Sequence, residues 1–513
     1  MTLRKKPMEM PQDGVSYRRT KLSTILLALM QGAACGCFYS AIGSVSYAAN
    51  LGFGIPVLLV GTLMTLARLF DGITDPLISM LIDKCNTKFG KIRLFSILGW
   101  IIMALSMKFL YDWGAGKGHS VLLFMAIYLL YYVGYTFMNM TTMLISPVMT
   151  NDPKQRPMVG VCSTAYTYII NIVLSVVTMM VLLPAAGGRY TMELLAKIST
   201  FTVLLSGAFL LLSLIGLSKI DKPENFIATS DAQKSRVKWR DMLNLLKDNK
   251  GLQCYILAAT SDKLAMTISG QTVIGTLLFG VVIGNMQLSA ILNIIAIIPI
   301  LACAAISGKH SGKNGSQKSI AFWSRIAIVV NVLLIAFLLL TSGRPVAQSM
   351  PSLILFVVLT MAMNGLRIAV SIPTGSMLAD VVDYEAYRSG KYMPGAVAGV
   401  HSFVDKAVSA IGAVAATFFI TLIGYKDVMP QPTDPKTMPV VILVCCVYYG
   451  LPILGWICSL IAMKKTPITK EKMVEVQKTI AERKKTEESN SEKLTDEVEA
   501  VDEQEKEATL GIR

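Results

Sequence analysis

Three charged residues stand close together in the middle of the second long apolar stretch of the chain. Arg68, Asp71 and Asp75 are separated by three and four residues, so on a helix they share one face. A charge at the centre of a bilayer costs roughly 2.5–3.5 kcal/mol on insertion scales, so this face should turn toward the interior of a helix bundle. One arginine neutralises only one of two carboxylates. The remaining negative charge indicates a further partner: a proton, a metal cation or a lysine from another helix.

The residues around these acids supply further oxygen atoms. Pro76 has no N–H group, which leaves the carbonyl oxygen of Gly72 without its helical hydrogen-bond partner. Together with the Thr74 hydroxyl and the two carboxylates, this oxygen makes a set of hard ligands that suits Na⁺ or Li⁺. The alternative is a purely structural network of ion pairs that holds helices together.

Three other apolar stretches also carry charged residues. In the eleventh, Lys406 is a candidate partner for the surplus negative charge of the second, and the alternative is a pair with the adjacent Asp405. In the seventh, Asp262 and Lys263 either pair locally or cap a broken helix. In the tenth, Arg367 has no acid near it in that stretch. It either binds an anionic group of a substrate or bonds to backbone carbonyl groups.

An aromatic and an amide side chain form a pair in the fourth apolar stretch. Tyr135 and Asn139 are four residues apart and therefore face the same way on a helix. Such a pair suits a hydroxyl-rich ligand, through stacking and paired hydrogen bonds. The alternative is hydrogen bonding between helices.

Motifs for enzymatic chemistry are missing from the sequence. It contains no P-loop, HExxH, GxSxG or CxxC motif, and its three histidines are far apart. We therefore expect no catalytic residues, no cofactor and no metal ion other than a coupling Na⁺.

All these residues lie in a very apolar chain. Of its 513 residues, 53% are hydrophobic and only 16% are charged, and the mean hydropathy is +0.56. Soluble domains carry about 25% charged residues. Because roughly 20 apolar residues cross a bilayer, we predict an all-α membrane protein with about twelve transmembrane helices, six on each side of a polar stretch. The predicted spans are 22–48, 55–82, 94–111, 120–148, 158–184, 195–218, 252–281, 287–307, 320–341, 351–378, 395–423 and 439–462. This arrangement predicts a transporter with its binding site at the midplane between two six-helix bundles, and a channel or a membrane-embedded enzyme is the alternative.

The basic residues are concentrated on one side of the predicted membrane. Of the 48 lysines and arginines, 18 lie before the first span, after the second span and in the polar stretch between the halves, whereas the loops on the opposite side hold few. The net charge of +15 therefore reflects loops that face anionic lipid rather than nucleic acid. We predict a multi-pass cell-membrane protein with both termini in the cytoplasm. The predicted division is a cytoplasmic segment 1–21, a bundle 22–218, a cytoplasmic loop 219–251, a second bundle 252–462 and a charged cytoplasmic tail 463–513, of which the first part suits a surface helix.

Four segments carry a recurring pattern of polar residues. They are Arg68 to Pro76 with Asp83 and Lys88 to Arg93, Tyr135 to Asn139 with Thr150 to Arg156, Met377 to Glu385, and His401 to Lys406. In type and order they resemble the glycoside–pentoside–hexuronide:cation symporter family, of the melibiose-permease type, within the major facilitator superfamily. The resemblance covers both halves and implies the major facilitator fold of two six-helix bundles.

The resemblance also implies roles for the matching residues. The coupling cation would be bound by Asp71, Asp75, Thr74, Thr136 and Asn139. Lys406 and Arg68 would couple occupancy by the cation to occupancy by the sugar. Cytoplasmic gating would involve Arg156, Asp380 and Asp383.

The sequence departs from the family pattern where the sugar is held. The acid of the first span is missing at about Gly32, the acid of the fourth span is Asn139, and the arginine position of the fifth span falls at about Thr164. We predict that other polar groups bind the substrate, namely Gln31, Arg68, Tyr135, Asn139, Arg367, His401, Ser402 and Lys406.

The predicted function is secondary active symport of a sugar or glycoside, including a pentoside or hexuronide, with Na⁺ or H⁺ by alternating access. The alternatives are a carrier of lysolipid or another amphiphile, and a sugar sensor that binds without translocation. The expected partners are the sugar, a monovalent cation and membrane lipid. We expect no nucleic acid and a functional monomer.

Overall fold

The computed structural model describes residues 19–85, 87, 89–114, 120–150, 155–222, 245–390, 394–480 and 482–483. Within these ranges the chain is helical and forms no β-strand. Ten helices there are long and apolar enough to cross a membrane, or twelve if each of two bent pairs counts as one span. The first bundle contains α1 (Leu22–Ala41), α2 (Val57–Lys84), α3 (Lys91–Lys108), α4 (Val121–Met149), α5 (Arg156–Val176) and α6 (Met192–Leu217). The second contains α7 (Lys250–Ser269 and Thr272–Val282), α8 (Gln287–Ile295 and Ile297–Asn314), α9 (Ser316–Leu340), α10 (Met350–Ser389), α11 (Pro394–Leu422) and α12 (Met438–Lys465).

The helices overlap the predicted spans, but α10 continues to Ser389, well beyond the predicted end at 378, and two helices are bent. The two parts of α7 meet at 64° and those of α8 at 41°. The α8 bend lies just before Pro299, which lacks the N–H that would bond to the carbonyl of Ile295. Each bent pair still forms one predicted span, so the all-α prediction of two groups of six helices is confirmed.

The two bundles meet along α2 and α11 and along α5 and α8. Gly61 allows the close approach of α2 to α11, because a Cβ atom there would lie 2.9 Å from the carbonyl oxygen of Ala413 and would overlap the Thr417 hydroxyl. Nearby, the Thr65 hydroxyl donates a hydrogen bond of 2.8 Å to the carbonyl of Ala410. Small and hydroxyl-bearing residues therefore fix this contact between the bundles.

One end of the molecule is closed by the loop 425–434, which joins α11 to α12. Asn50 Nδ2 donates to the carbonyl of Asp427 at 2.7 Å, and Asn50 Oδ1 accepts from the N–H of Met429 at 3.0 Å. The Tyr47 hydroxyl donates to the carbonyl of Pro430 at 2.7 Å. The N–H of Tyr190 donates to Gln431 Oε1 at 2.8 Å. These bonds tie the loop of the second bundle to the α1–α2 connection and to the α5–α6 connection of the first.

The opposite face carries the ends of the described chain. Bonds found there join residues of the same bundle: the Thr20 hydroxyl with the carbonyl of Met149 at 2.6 Å, and the N–H of Arg93 with Asp221 Oδ2 at 2.9 Å. The central cavity described below lies between this face and the closed end. The predicted segment 1–21 and loop 219–251 fall mostly outside the described residues.

A short helix over residues 470–480 follows α12 and packs against the second bundle. Lys318 Nζ lies 2.8 Å from Glu471 Oε1, and Gln477 Nε2 donates to Asp383 Oδ2 at 2.7 Å. This segment agrees with the surface helix expected at the start of the tail. The rest of the tail lies outside the described residues, apart from 482–483.

Candidate functional site

A cavity of about 880 Å³ lies between the two bundles. Residues of α1, α2 and α4 line one wall, and residues of α7, α10 and α11 line the other. The predicted site residues on its walls are Arg68, Asp71, Tyr135, Asn139, His401 and Lys406. The cavity therefore gathers residues that are more than 300 positions apart in the sequence.

Asp71 provides a carboxylate on the first wall. Its side chain is buried (8% exposed), and Oδ1 accepts a hydrogen bond of 2.9 Å from the Thr136 hydroxyl of α4. The Thr74 hydroxyl donates instead to the backbone carbonyl of Asp71, at 3.1 Å. Of the two threonines predicted to assist the cation, only Thr136 thus bonds to the carboxylate.

Asp75 forms an ion pair with Lys406 across the interface between the bundles. The aspartate belongs to α2 and the lysine to α11. Lys406 therefore pairs with the second-span acid and not with its neighbour Asp405, the alternative left open by the sequence. This contact links α2 directly to the second bundle.

Arg68 lies against aromatic rings rather than against an acid. Its guanidinium carbon is 5.5 Å from the ring centroid of Tyr39 and 5.4 Å from that of Tyr132, distances at which cation–π attraction operates. In the part of the chain that the structure describes, no carboxylate lies within 4.0 Å of this guanidinium. Tyr39 also stacks on Tyr135, with ring centroids 5.8 Å apart. The wall thus presents an arginine and stacked tyrosines to the cavity.

The opposite wall carries a second group of charged residues. Lys263 Nζ of α7 lies 3.6 Å from Asp405 Oδ2 of α11, and Asp262 lines the cavity beside them. Lys263 thus pairs between helices and not locally with Asp262. The rings of His401 and Tyr255 on the same wall have centroids 5.1 Å apart.

Three residues predicted to bind substrate lie outside the cavity. Gln31 is fully buried, and its amide bonds to Thr141 and Thr142 of α4 at 2.8 and 2.7 Å. Ser402 is exposed and does not line the cavity. Arg367 lies behind the wall, with its guanidinium 5.5 Å from the Tyr448 ring. These three residues do not line the cavity in this conformation, and their role in substrate binding stays a prediction.

The predicted gating residues lie at the face that carries the chain ends. Asp380 accepts a hydrogen bond of 2.8 Å from the Ser316 hydroxyl, and Asp383 accepts one from Gln477. The side chain of Arg156 lies outside the described residues. Their role in gating stays a prediction.

Tyr39 and Tyr255 line the cavity but were not predicted as site residues. Tyr39 lies seven residues after Gly32 in α1, which places both on one helix face. Tyr255 precedes Asp262 by seven residues in α7 in the same way. The seven-residue spacing from Gly32, the position of the missing acid, and from Asp262 was the signal that could have identified these two tyrosines.

The sequence matches a family model described as "MFS/sugar transport protein" over residues 23–470. The uncharacterized symporter YjmB of Bacillus subtilis (strain 168) is 22% identical over 382 residues, which are 72% of this chain and 77% of YjmB. The glucuronide carrier protein homolog of Escherichia coli (strain K12) is 24% identical over 386 residues, again 72% of this chain and 77% of the relative. The putative glycoside/cation symporter YagG of the same strain is 32% identical over 128 residues, or 24% of this chain and 27% of YagG.

Solved structures share the fold at low sequence identity. The nucleoside transporter NupG superposes with a TM-score of 0.57 at 12% identity, covering 86% of this chain and 100% of NupG. A bacterial homologue of the human lysosomal transporter Spinster gives a TM-score of 0.53 at 13% identity, covering 89% of this chain and 99% of the homologue. The chain is thus a multi-pass membrane protein and a secondary transporter, not an enzyme. It belongs to the glycoside–pentoside–hexuronide:cation symporter family of the major facilitator superfamily, as its polar motifs predicted.

Proposed function

We propose that the protein carries a sugar or glycoside together with Na⁺ or H⁺, and that Asp71 and Asp75 bind the coupling cation. The observation that carries this proposal is the unequal pairing of the two acids. Asp75 has the Lys406 ammonium as its partner, whereas the described partner of the buried Asp71 carboxylate is the neutral Thr136 hydroxyl. An incompletely compensated carboxylate on a cavity wall inside the membrane favours binding of a cation or proton.

In this proposal Lys406 couples cation binding in the first bundle to the second bundle. A cation that neutralises Asp71 and Asp75 weakens the hold of Asp75 on the lysine, which belongs to α11. The freed ammonium then hydrogen-bonds the substrate, so that cation and sugar raise each other's affinity by the same factor, typically about 5–150-fold. The bundles rock around the filled cavity to expose it on the other side.

The lining of the cavity supports a hydroxyl-rich substrate. Tyr39 and Tyr135 offer stacked rings and Asn139 an amide, while Arg68 offers a guanidinium without a nearby acid among the described residues. This arginine suits the carboxylate of a hexuronide, in keeping with the name of the glucuronide carrier homologue. The six charged side chains on the walls disfavour a lipid tail: Arg68, Asp71, Asp262, Lys263, Asp405 and Lys406.

In this proposal the face with the chain ends lies in the cytoplasm, which the distribution of basic residues in the sequence supports. The end of the molecule that the loop 425–434 closes then faces the outside of the cell. In this conformation the substrate enters or leaves the cavity from the cytoplasmic side. In this proposal the protein works as a monomer in lipid, since residues of one chain form both walls of the cavity, and transport involves no cofactor.

Uptake by the purified protein in liposomes tests the proposal. A panel of labelled glucosides, galactosides, xylosides and glucuronides is offered with an imposed Na⁺ or H⁺ gradient. We expect the wild type to concentrate at least one glycoside with one gradient, and Asp71→Asn and Asp75→Asn to lose this accumulation. Glu193→Gln is the matched control, because that carboxylate pairs with Lys197 on the exposed start of α6. Accumulation by both aspartate variants to the wild-type level would refute the cation site.

A further inference from the structure

The wall formed by α7 and α11 presents charged groups that the cation site does not use. Asp262 and Lys263 come from α7, and Asp405 comes from α11. All three line the same cavity as Asp71. Its volume of about 880 Å³ lies near the upper end of the range of roughly 300–1,000 Å³ for small-molecule sites, which leaves room for a ligand that touches both walls.

The ion pair on this wall is loose. Lys263 Nζ and Asp405 Oδ2 are 3.6 Å apart, beyond hydrogen-bond distance, and the two side chains are 45% and 30% exposed. An ammonium has three donors, and a carboxylate accepts at about four lone-pair positions. Most of this hydrogen-bonding capacity is therefore open to a ligand.

Behind the wall that carries Asp262 lies a further cationic group, Arg367. The Arg367 guanidinium lies over the Tyr448 ring, and its Nε and Nη2 atoms are buried without a hydrogen-bond partner among the described residues. Arg367 thus places positive charge behind this wall, although it does not line the cavity itself.

The arrangement suits hydroxyl groups better than a second cation. Lys263 pairs with Asp405 and directly follows Asp262 in the chain, so its ammonium repels a metal ion that approaches either acid. A sugar hydroxyl both donates and accepts hydrogen bonds, so it matches alternating carboxylates and ammonium. His401 adds an Nδ1 atom that is buried and has no partner in the described part of the chain.

We propose that Asp262, Lys263 and Asp405 form a second substrate subsite that binds hydroxyl groups of the glycoside from the second bundle. This subsite rests on the proposed function and supplies carboxylates that the first bundle lacks, where Gly32 and Asn139 stand in place of acids. It also gives the substrate contacts on both bundles, which is what makes their rocking depend on substrate.

Separate measurements of cation and glycoside binding test the subsite. Purified wild type, Asp262→Asn, Asp405→Asn and the control Glu193→Gln are titrated with Na⁺ or H⁺ without sugar, and then with nitrophenyl glucoside, galactoside, xyloside and glucuronide at saturating cation. Only monodisperse variants are compared, and either aspartate variant suffices for the test.

We expect the aspartate variants to bind the preferred glycoside about 10- to 100-fold more weakly, because a hydrogen bond to a charged group is lost. Their sugar-free cation affinity should stay within about twofold of the wild type. A loss of cation affinity instead would overturn the subsite, and so would unchanged affinity for both ligands. If the wild type itself binds no glycoside of the panel, this result refutes the proposed function, and the subsite proposal is refuted with it.

Discussion

Replacing Lys406 by alanine should make the coupling cation bind more tightly. The lysine ammonium occupies the Asp75 carboxylate, so an incoming cation must compete with it. Without the ammonium, the cation binds between the Asp71 and Asp75 carboxylates of α2 without displacing a lysine. The same variant should lose the coupling between cation and sugar, because no group of α11 then senses the charge on Asp75.

The size of the effect follows from the geometry of the pair. Two unit charges about 4 Å apart attract each other by about 4 kcal/mol at an effective dielectric constant of about 20. The Lys406 side chain is 40% exposed, and solvent screening reduces this energy, to about 1–3 kcal/mol. At 1.4 kcal/mol per factor of ten, the cation affinity should rise about 5- to 150-fold.

Two titrations of the detergent-solubilised protein without sugar measure this affinity. Isothermal titration calorimetry gives the affinity for Na⁺, and titration followed with a pH indicator gives the affinity for H⁺. Lys263→Ala is the matched control, since its ammonium pairs with Asp405 on the other wall and its loss should change the affinity less than about threefold. Unchanged or weaker cation binding in Lys406→Ala would refute the competition between lysine and cation.

Two further predictions concern the face that carries the chain ends. Gly90 has φ of +97°, and a Cβ atom there would overlap the Asp221 carboxylate, whereas Gly54 has φ of +66° and open space. Gly90→Ala should therefore lower the thermal unfolding temperature clearly more than Gly54→Ala. Both variants carry a backbone cost of about 1–3 kcal/mol for a positive φ, and Gly90→Ala adds the steric overlap with Asp221. Equal decreases in unfolding temperature would contradict this. The Lys318 hydrogen bond lowers the pKa of Glu471 from 4.5 to about 2, so this contact is complete above about pH 4.5 and is lost as the pH falls toward 2. The protection factors of residues 470–480, which are exchange rates corrected for the intrinsic pH dependence of amide exchange, should fall over that range in the wild type and be low throughout in Lys318→Ala. Unchanged protection factors at pH 2 would disprove the role of the pair.

The helices and much of the cavity could be predicted from the sequence because lipid imposes strong rules on it. Long apolar stretches mark the spans, and the cost of burying charge sends Arg68, Asp71 and Lys406 inward. The same rule cannot distinguish a polar residue that lines the cavity from one that is buried between the helices of a single bundle. Gln31 avoids lipid by bonding within the first bundle, and Arg367 avoids it behind the cavity wall. Both satisfy the rule as well as a substrate ligand would.

Only part of the charge pairing could be predicted from the sequence: Lys406 was the predicted partner of the second-span acids, whereas the pair of Asp405 with Lys263 was not predicted. Asp405 and Lys406 are adjacent, yet successive residues on a helix point about 100° apart. Asp405 therefore reaches Lys263 of α7, and Lys406 reaches Asp75 of α2. Such pairing depends on how the helices pack, which no local spacing reports.

The loop 425–434 closes its end of the molecule largely through its own main chain. It offers carbonyls of Asp427 and Pro430 and the N–H of Met429, whereas the first bundle answers with the side chains of Tyr47 and Asn50. Apart from Gln431, whose side chain bonds to Tyr190, the loop residues that make these contacts can be replaced without removing the hydrogen-bonding group. Replacement of Tyr47 or Asn50 instead removes the bond itself, so the balance between the open and closed forms of this end can be changed at positions that do not line the cavity.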